Sequence, residues 1–217
     1  MSTILTVLEI IGVVSFSISG ALMAIDKEND FFGLIFLAIV TSFGGGMLRD
    51  IFIGNTPPMF FSLYHLIIVS VITATVVFIA AAIFQKQYVK REDLIQTVNN
   101  YVDAVGLGVF VISGAQICMN AGFTNPLLII IMGMISGTGG SITRDVIMRE
   151  VPAILRKRIY LMAAIAGAGL YYVLVLFDVK KIVAVSVGAL LIVAIRILAT
   201  VFKWNMPKAI DFSKIER

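Results

Sequence analysis

Gly44-Gly45-Gly46-Met47-Leu48-Arg49-Asp50 sits in the middle of a strongly apolar run, and Gly139-Gly140-Ser141-Ile142-Thr143-Arg144-Asp145 echoes it downstream. Three small residues followed by a charge pair are out of place in the core helix of a soluble protein. Each Gly costs about 1 kcal/mol relative to Ala in a helix, and an apolar core gives Arg and Asp no hydrated surroundings. In a membrane-spanning helix the same stretch predicts a break. Its freed amides and carbonyls must then face protein or a polar path, because unsatisfied backbone groups are too costly in lipid.

The composition places this stretch in a membrane protein. The 217 residues are 59% hydrophobic and only 14% charged, with a mean hydropathy of +1.02, whereas soluble domains run at about 45–50% and about 25%. With roughly 20 residues per helical span, about seven spans use most of the chain. We place them at 3–25, 32–53, 62–84, 102–120, 127–148, 158–177 and 182–203. Residues 1–203 then form a single transmembrane domain and 204–217 a polar tail. The connections are short except for 86–100, read as a linker between two halves. Basic residues form short clusters between spans rather than a continuous face, which argues against nucleic acid as a partner. No soluble partner is evident either. Cys118 is the single cysteine, so there is no intrachain disulfide. The first apolar run is span-length and lacks a basic flank, unlike a signal peptide.

Lys and Arg outside the spans fall two on one side (Lys180, Lys181) and twelve on the other. By the positive-inside rule the N-terminus is outside and the C-terminus cytoplasmic. A shift of 94 carries Glu9, Gly12, Phe16, Ile18, Ser19 and Gly20 onto Asp103, Gly106, Phe110, Ile112, Ser113 and Gly114. A shift of 95 carries Gly44, Gly45, Arg49, Asp50 and Pro57 onto Gly139, Gly140, Arg144, Asp145 and Pro152. The repeats run over 3–84 and 102–177, three spans each. An odd number of spans inverts the second copy across the membrane. The seventh span has no counterpart.

Arg49 lies about 6 Å along the axis past Gly45, and its side chain leans back toward the glycines. The inverted copy brings Arg144 to the same level from the opposite face. Neighbours in sequence do not face each other on a helix, so each Arg is expected to find its partner on another span or at a carbonyl. The pairs either gate a path or lock the repeats together. Carbonyls ending a first half-helix suit a cation near Gly44 and Gly139; amides opening the second half suit an anion or carboxylate. Ser15, Ser17, Ser19, Ser113, Gln116, Thr41, Ser42, Ser136 and Thr138 supply polar groups that line a path as a set, although any one of them can equally back-bond within its helix. Glu9 and Asp103 match across the repeat and would draw cations to two mouths. Arg196 is near enough to a helix end to snorkel, and His65 has no second histidine to complete a metal site. No motif of phosphate binding, metal catalysis or nucleophilic catalysis is present, so an enzyme is not expected.

The doubled glycine–Arg–Asp motif with its following prolines, on an inverted three-plus-three-plus-one plan, resembles the prokaryotic branch of the trimeric intracellular cation (TRIC) channels. The same sequence family is also described as a glycine-transporter domain. The resemblance covers about 3–203. It implies an all-α fold of seven transmembrane helices with the second and fifth broken at glycines, a homotrimer in the inner membrane, and one path per subunit. It also implies potassium or sodium as the permeant species, with no cofactor. Its site residues would be Gly44, Gly45, Gly46, Arg49, Asp50, Gly139, Gly140, Ser141, Arg144 and Asp145; to these the reading of the polar residues adds Thr138, Ser17, Ser19 and Ser113. Ser141 departs from a third glycine, and the lysine-centred motif of the animal members is absent, so their lipid-dependent gating is not carried over. The expected function is a potassium-permeable channel; the alternative is a secondary transporter of a small zwitterion such as glycine.

Overall fold

A computed structural model describes residues 3–156 and 159–204. The tail from 205 on, with Lys208, Lys214 and Arg217, and the basic pair Lys157–Arg158 lie outside the described residues. The helices are α1 (Thr3–Asp26), α2 (Phe31–Phe52), α3 (Tyr64–Ile83), α4 (Gln85–Lys90), α5 (Glu92–Asn120), α6 (Pro126–Ile147), α7 (Ala153–Arg156), α8 (Tyr160–Leu176) and α9 (Lys181–Val201), with a short 3-10 turn at Met59–Ser62. Six of them are long and apolar enough to cross a membrane, and α8 is a shorter apolar helix. Ile68, Ile72, Val76, Ile79 and Ile83 form one exposed stripe along α3. An apolar face of that length left outward belongs against lipid.

The termini follow local chemistry. Asp30 caps α2 by accepting the Gly33 N–H at 2.8 Å, and Asn125 caps α6 by accepting the Leu127 N–H at 2.9 Å. These caps are 95 residues apart, as are the residues that end the same helices in left-handed backbone, Gly54 (φ 73°) and Arg149 (φ 55°). Leaving Gly at one and Arg at the other is a difference in strain, since only Gly enters that region freely.

Packing confirms the inverted repeat through reciprocal contacts. A Cβ built on Gly44 would lie 3.2 Å from the Gly140 Cα, and one on Gly139 would lie 2.9 Å from the Gly45 Cα. Phe16 stacks on its own counterpart Phe110, with ring centroids 5.3 Å apart and planes 9° from parallel. Residues that touch their repeat mates lie on the pseudo-two-fold axis. That axis therefore runs through the α2–α6 crossing and between α1 and α5. α9 lies outside this symmetry, packing mainly on α5 and α8, with Gly167 and Gly188 at the closest approach.

Two expectations are corrected. First, α2 and α6 are unbroken helices through Gly44–Gly46 and Gly139–Ser141. The glycines are there because the helices cross on them. A Cβ on Gly45 would sit 2.2 Å from the Ser136 carbonyl oxygen, and one on Gly140 would sit 2.1 Å from that of Thr41. Second, the 86–100 linker is helical: α4 fills part of it, and α5 starts at Glu92, ten residues before the expected 102. At about 1.5 Å per residue α5 is about 43 Å long, well beyond a ~30 Å hydrocarbon core. Its first turns are polar because they stand outside it.

Candidate functional site

Each Arg-Asp pair closes on itself. Arg49 donates from Nε and Nη2 to Asp50 Oδ1 at 3.0 and 2.7 Å, and Arg144 does the same to Asp145 Oδ1 at 2.9 and 2.7 Å. The expectation of a partner elsewhere is thus half right. Cβ directions diverge for neighbours, but an Arg side chain is long enough to curl back onto the adjacent carboxylate. The remaining nitrogen does reach another helix: Arg49 Nη1 donates to Ser136 Oγ on α6 at 3.1 Å, and Arg144 Nη1 to Ser19 Oγ on α1 at 2.9 Å. The second carboxylate oxygens turn to the loops. Asp50 Oδ2 accepts the Met59 N–H and Asp145 Oδ2 the Ala153 N–H, both at 2.8 Å. These are the first N–H groups after Pro57-Pro58 and Pro152, since proline has none to give. All four charged residues are at most 4% exposed, and burial at that depth demands the full set of partners.

Two sets of cavities reach these pairs from opposite ends of the bundle. One, of about 370 Å³, is lined by Ser19, Asp26, Asn99, Asp103, Arg144 and Asp145 among others. At the other end a cleft of about 400 Å³ holds Glu9, Ser113, Gln116, Asn120 and Lys181. A smaller space of about 50 Å³ continues it inward to Glu9, Gly46, Arg49, Asp50, Phe110 and Ser113. The two ends share no lining residue. Between them stand the two arginines, the Phe16–Phe110 stack and the glycine crossing.

Of the residues picked out by sequence, Ser19, Asp103, Arg144 and Asp145 meet at one end, and Glu9, Gly46, Arg49, Asp50 and Ser113 at the other. Gly44, Gly45, Gly139 and Gly140 line neither cavity. With α2 and α6 continuous, no carbonyls are freed near Gly44 or Gly139 to hold a cation. Ser17 is buried in a knot between helices, 3.0 Å from Ser42 Oγ and donating to Ser70 Oγ at 2.8 Å. Thr138 back-bonds to the Met134 carbonyl at 2.7 Å. Ser141 donates to the Thr138 carbonyl at 2.9 Å and lies 3.5 Å from the Tyr160 hydroxyl. Arg196 does not snorkel: it is 2% exposed, with Nη2 3.7 Å from Asp103 Oδ2 and its guanidinium 4.2 Å from the Tyr160 ring centroid.

Sequence reasoning picked out Asp103 but missed Glu92, Gln96 and Asn99 on early α5. All four line the first cavity, and their spacing of four, three and four is that of one helical face. That spacing was the available signal. Lys27 and Glu150 form an ion pair across the same mouth. Tyr88 on α4 donates to Asp26 Oδ1 at 2.9 Å, and Gln96 Nε2 on α5 donates to Asp26 Oδ2 at 3.0 Å, fastening α4 and α5 to the end of α1. Burial, reinforced by the Asp26 carboxylate, holds the Tyr88 hydroxyl above its ordinary pKa.

Comparison with known proteins agrees with this architecture. A family model described as "Glycine transporter" matches twice, over residues 6–82 and 100–176, one match per repeat. The UPF0126 inner membrane protein YadS of Escherichia coli K12 is 34% identical over 203 residues, covering 92% of each chain. Among solved structures, a TRIC cation channel analysed for its conductance aligns over 100% of both chains at 31% identity and a TM-score of 0.82. The TRIC trimeric intracellular cation channel orthologue from Rhodobacter sphaeroides aligns over 93% of this chain and 100% of its own, at 32% identity and a TM-score of 0.83.

Proposed function

The chain belongs to the glycine-transporter (UPF0126) family of membrane proteins, and on that footing we propose that it is a potassium-permeable cation channel with one path through each subunit. The observation that carries the reading is the pair of cavities entering from opposite ends, each lined in part by charged and hydroxyl side chains and each stopped by a buried Arg-Asp pair. The path runs from the Glu9 cleft past Arg49, between the arginines, past Arg144 and into the Asp103 cavity. Hydroxyls of Ser19 and Ser113, carboxylates and water replace part of the cation's hydration along it. The arginines set when it conducts: in the closed arrangement each bridges its Asp to a serine on another helix, and their charges repel cations at the narrowest point.

In the membrane, α8 is the sixth of seven spans, the Glu9 end faces outward, and the Asp103 end with Lys27, Lys86 and Lys90 faces the cytoplasm, as the positive-inside rule requires. The resemblance to trimeric channels supports a homotrimer in the inner membrane. Catalysis has no place in this reading.

Transport of a small zwitterion is the second reading. It is favoured by the family description and by the presence of both Glu9 and Lys181 on the outer cleft. Purified protein in liposomes decides between them. The channel passes potassium at rates that do not saturate with concentration in the millimolar range and gives unitary currents in planar bilayers. Saturable uptake of labelled glycine without unitary currents would overturn it.

A further inference from the structure

The two halves of the constriction are related by symmetry but held differently, and α9 makes the difference. On the second copy Arg196 reaches Asp103 at 3.7 Å and lies 4.2 Å over the Tyr160 ring. Tyr160, 1% exposed, sets its hydroxyl 3.5 Å from Ser141, one turn before Arg144 on α6. Four helices are thereby tied around the Arg144 pair. The first copy lacks every part of this arrangement. No helix corresponds to α9, so Glu9, the mate of Asp103, has no Arg196; among the described residues it makes no hydrogen bond or ion pair. Gly46 stands where Ser141 stands, and a Cβ built there would meet only Arg49 Nη2, at 3.7 Å. His65, which the shift of 95 carries onto Tyr160, is exposed at the start of α3. Glu9 and Arg49 line one small cavity.

We infer that α9 is a brace that fixes the Arg144 half of the constriction and leaves the Arg49 half to move, with Glu9 as the second partner of the Arg49 guanidinium. In the closed arrangement Arg49 binds Asp50 and Ser136; in the open one it leaves Ser136 for the Glu9 carboxylate and clears the path. Arg196 is a positioning residue in this scheme. It touches no ion and acts by holding Asp103 and Tyr160.

The inference rests on the channel reading, and single-channel recording with oriented insertion separates the two. A wild type that passes no potassium overturns the channel reading itself. Given a conducting wild type, a single moving arginine makes opening favour one voltage polarity. Glu9→Gln removes the second partner and lowers open probability about fivefold, the scale of one partly exposed ion pair. The double variant R196M/D103N removes both charges together, so neither is left buried without its partner. It frees Arg144, which stands inverted in the membrane, and so adds openings at the opposite polarity. Unchanged gating in E9Q, or a double variant that gates only at the wild-type polarity, would overturn the inference. Should the double variant not elute as native protein, E9Q alone decides it.

Discussion

Gly45→Ala separates two explanations of the glycine motif by the sign of its effect. If Gly45 marked a loosened helix, alanine would stabilise α2 by about 1 kcal/mol. In the packed crossing the new methyl carbon would lie 2.2 Å from the Ser136 carbonyl oxygen and 2.8 Å from that of Ile135. Ordinary contact begins at 3.4 Å, so α2 and α6 must separate by about an ångström, and both obstacles are backbone that no rotamer change can move. Overpacking of this kind costs about 1–3 kcal/mol, and a rigid backbone obstacle puts the cost at the upper end. After the propensity gain is subtracted, a net loss of about 2 kcal/mol remains. For a chain of this size that lowers Tm by roughly 4–8 °C. Gly46→Ala is the internal control, because its methyl would meet only Arg49 Nη2 at 3.7 Å; it should hold or raise Tm. Thermal unfolding of both variants in one detergent, followed by light scattering, gives the answer. A G45A protein as stable as G46A would refute the crossing as the reason for the glycines.

Three more outcomes are expected. Ser136→Ala removes the acceptor of Arg49 Nη1, a charge-assisted bond of about 1.5–3 kcal/mol, and should raise open probability at least tenfold in bilayers; Ser19→Ala, acting on the braced Arg144, should change it less. Arg149→Gly relieves a left-handed residue that its counterpart Gly54 already avoids, and should raise Tm by about 2–4 °C, near 1 kcal/mol. The Tyr88 hydroxyl is held above its ordinary value of 10.0. Its contribution is therefore complete below pH 10 and fades as pH rises beyond it, because the unfolded chain ionises first. Protection of the α4 amides, taken relative to base-catalysed exchange of the unfolded chain, should fall above pH 10 in the wild type, and Tyr88→Phe should flatten that dependence.

The all-helical membrane fold, the internal repeat and the helix outside it were legible, because hydrophobic length and a repeated motif are properties of the sequence itself. The function of the glycines was not. A helix-weakening residue and a close-packing residue are the same residue, and what distinguishes them is a backbone 91 (Ser136 at Gly45) or 99 (Thr41 at Gly140) positions away. One local signal did exist. Thr41-xxx-Gly45 and Ser136-xxx-Gly140 place two small residues one turn apart, the same pattern that marks Gly133-xxx-Gly137 as a contact face. The linker was misread for a related reason. Polar residues over 86–100 look like a loop when hydropathy alone is scored, but Glu92, Gln96, Asn99 and Asp103 keep helical spacing and line a cavity with it.

The Arg-Asp pairs show why structure and gating are hard to separate here. Arg has a planar fork that serves two directions at once: Nε and Nη2 grip the neighbouring carboxylate while Nη1 reaches across to a second helix. A lysine ammonium has the charge but not the fork, so it could not hold both. The Asp completes the unit by closing the loop after its helix through Met59 or Ala153. Substituting Asp50 or Asp145 thus strikes the fold and the constriction together, and a loss of current in such variants says little about gating. Ser136 and Ser19 are the informative positions, since the hydroxyl of each accepts from the arm of an arginine that its Asp does not hold. The chain keeps its folding contacts on the Asp side of the guanidinium and its movable contact on the serine side. In the proposed channel, that division lets a buried charge pair hold two helices and the following loop in place and still release one bond when the path opens.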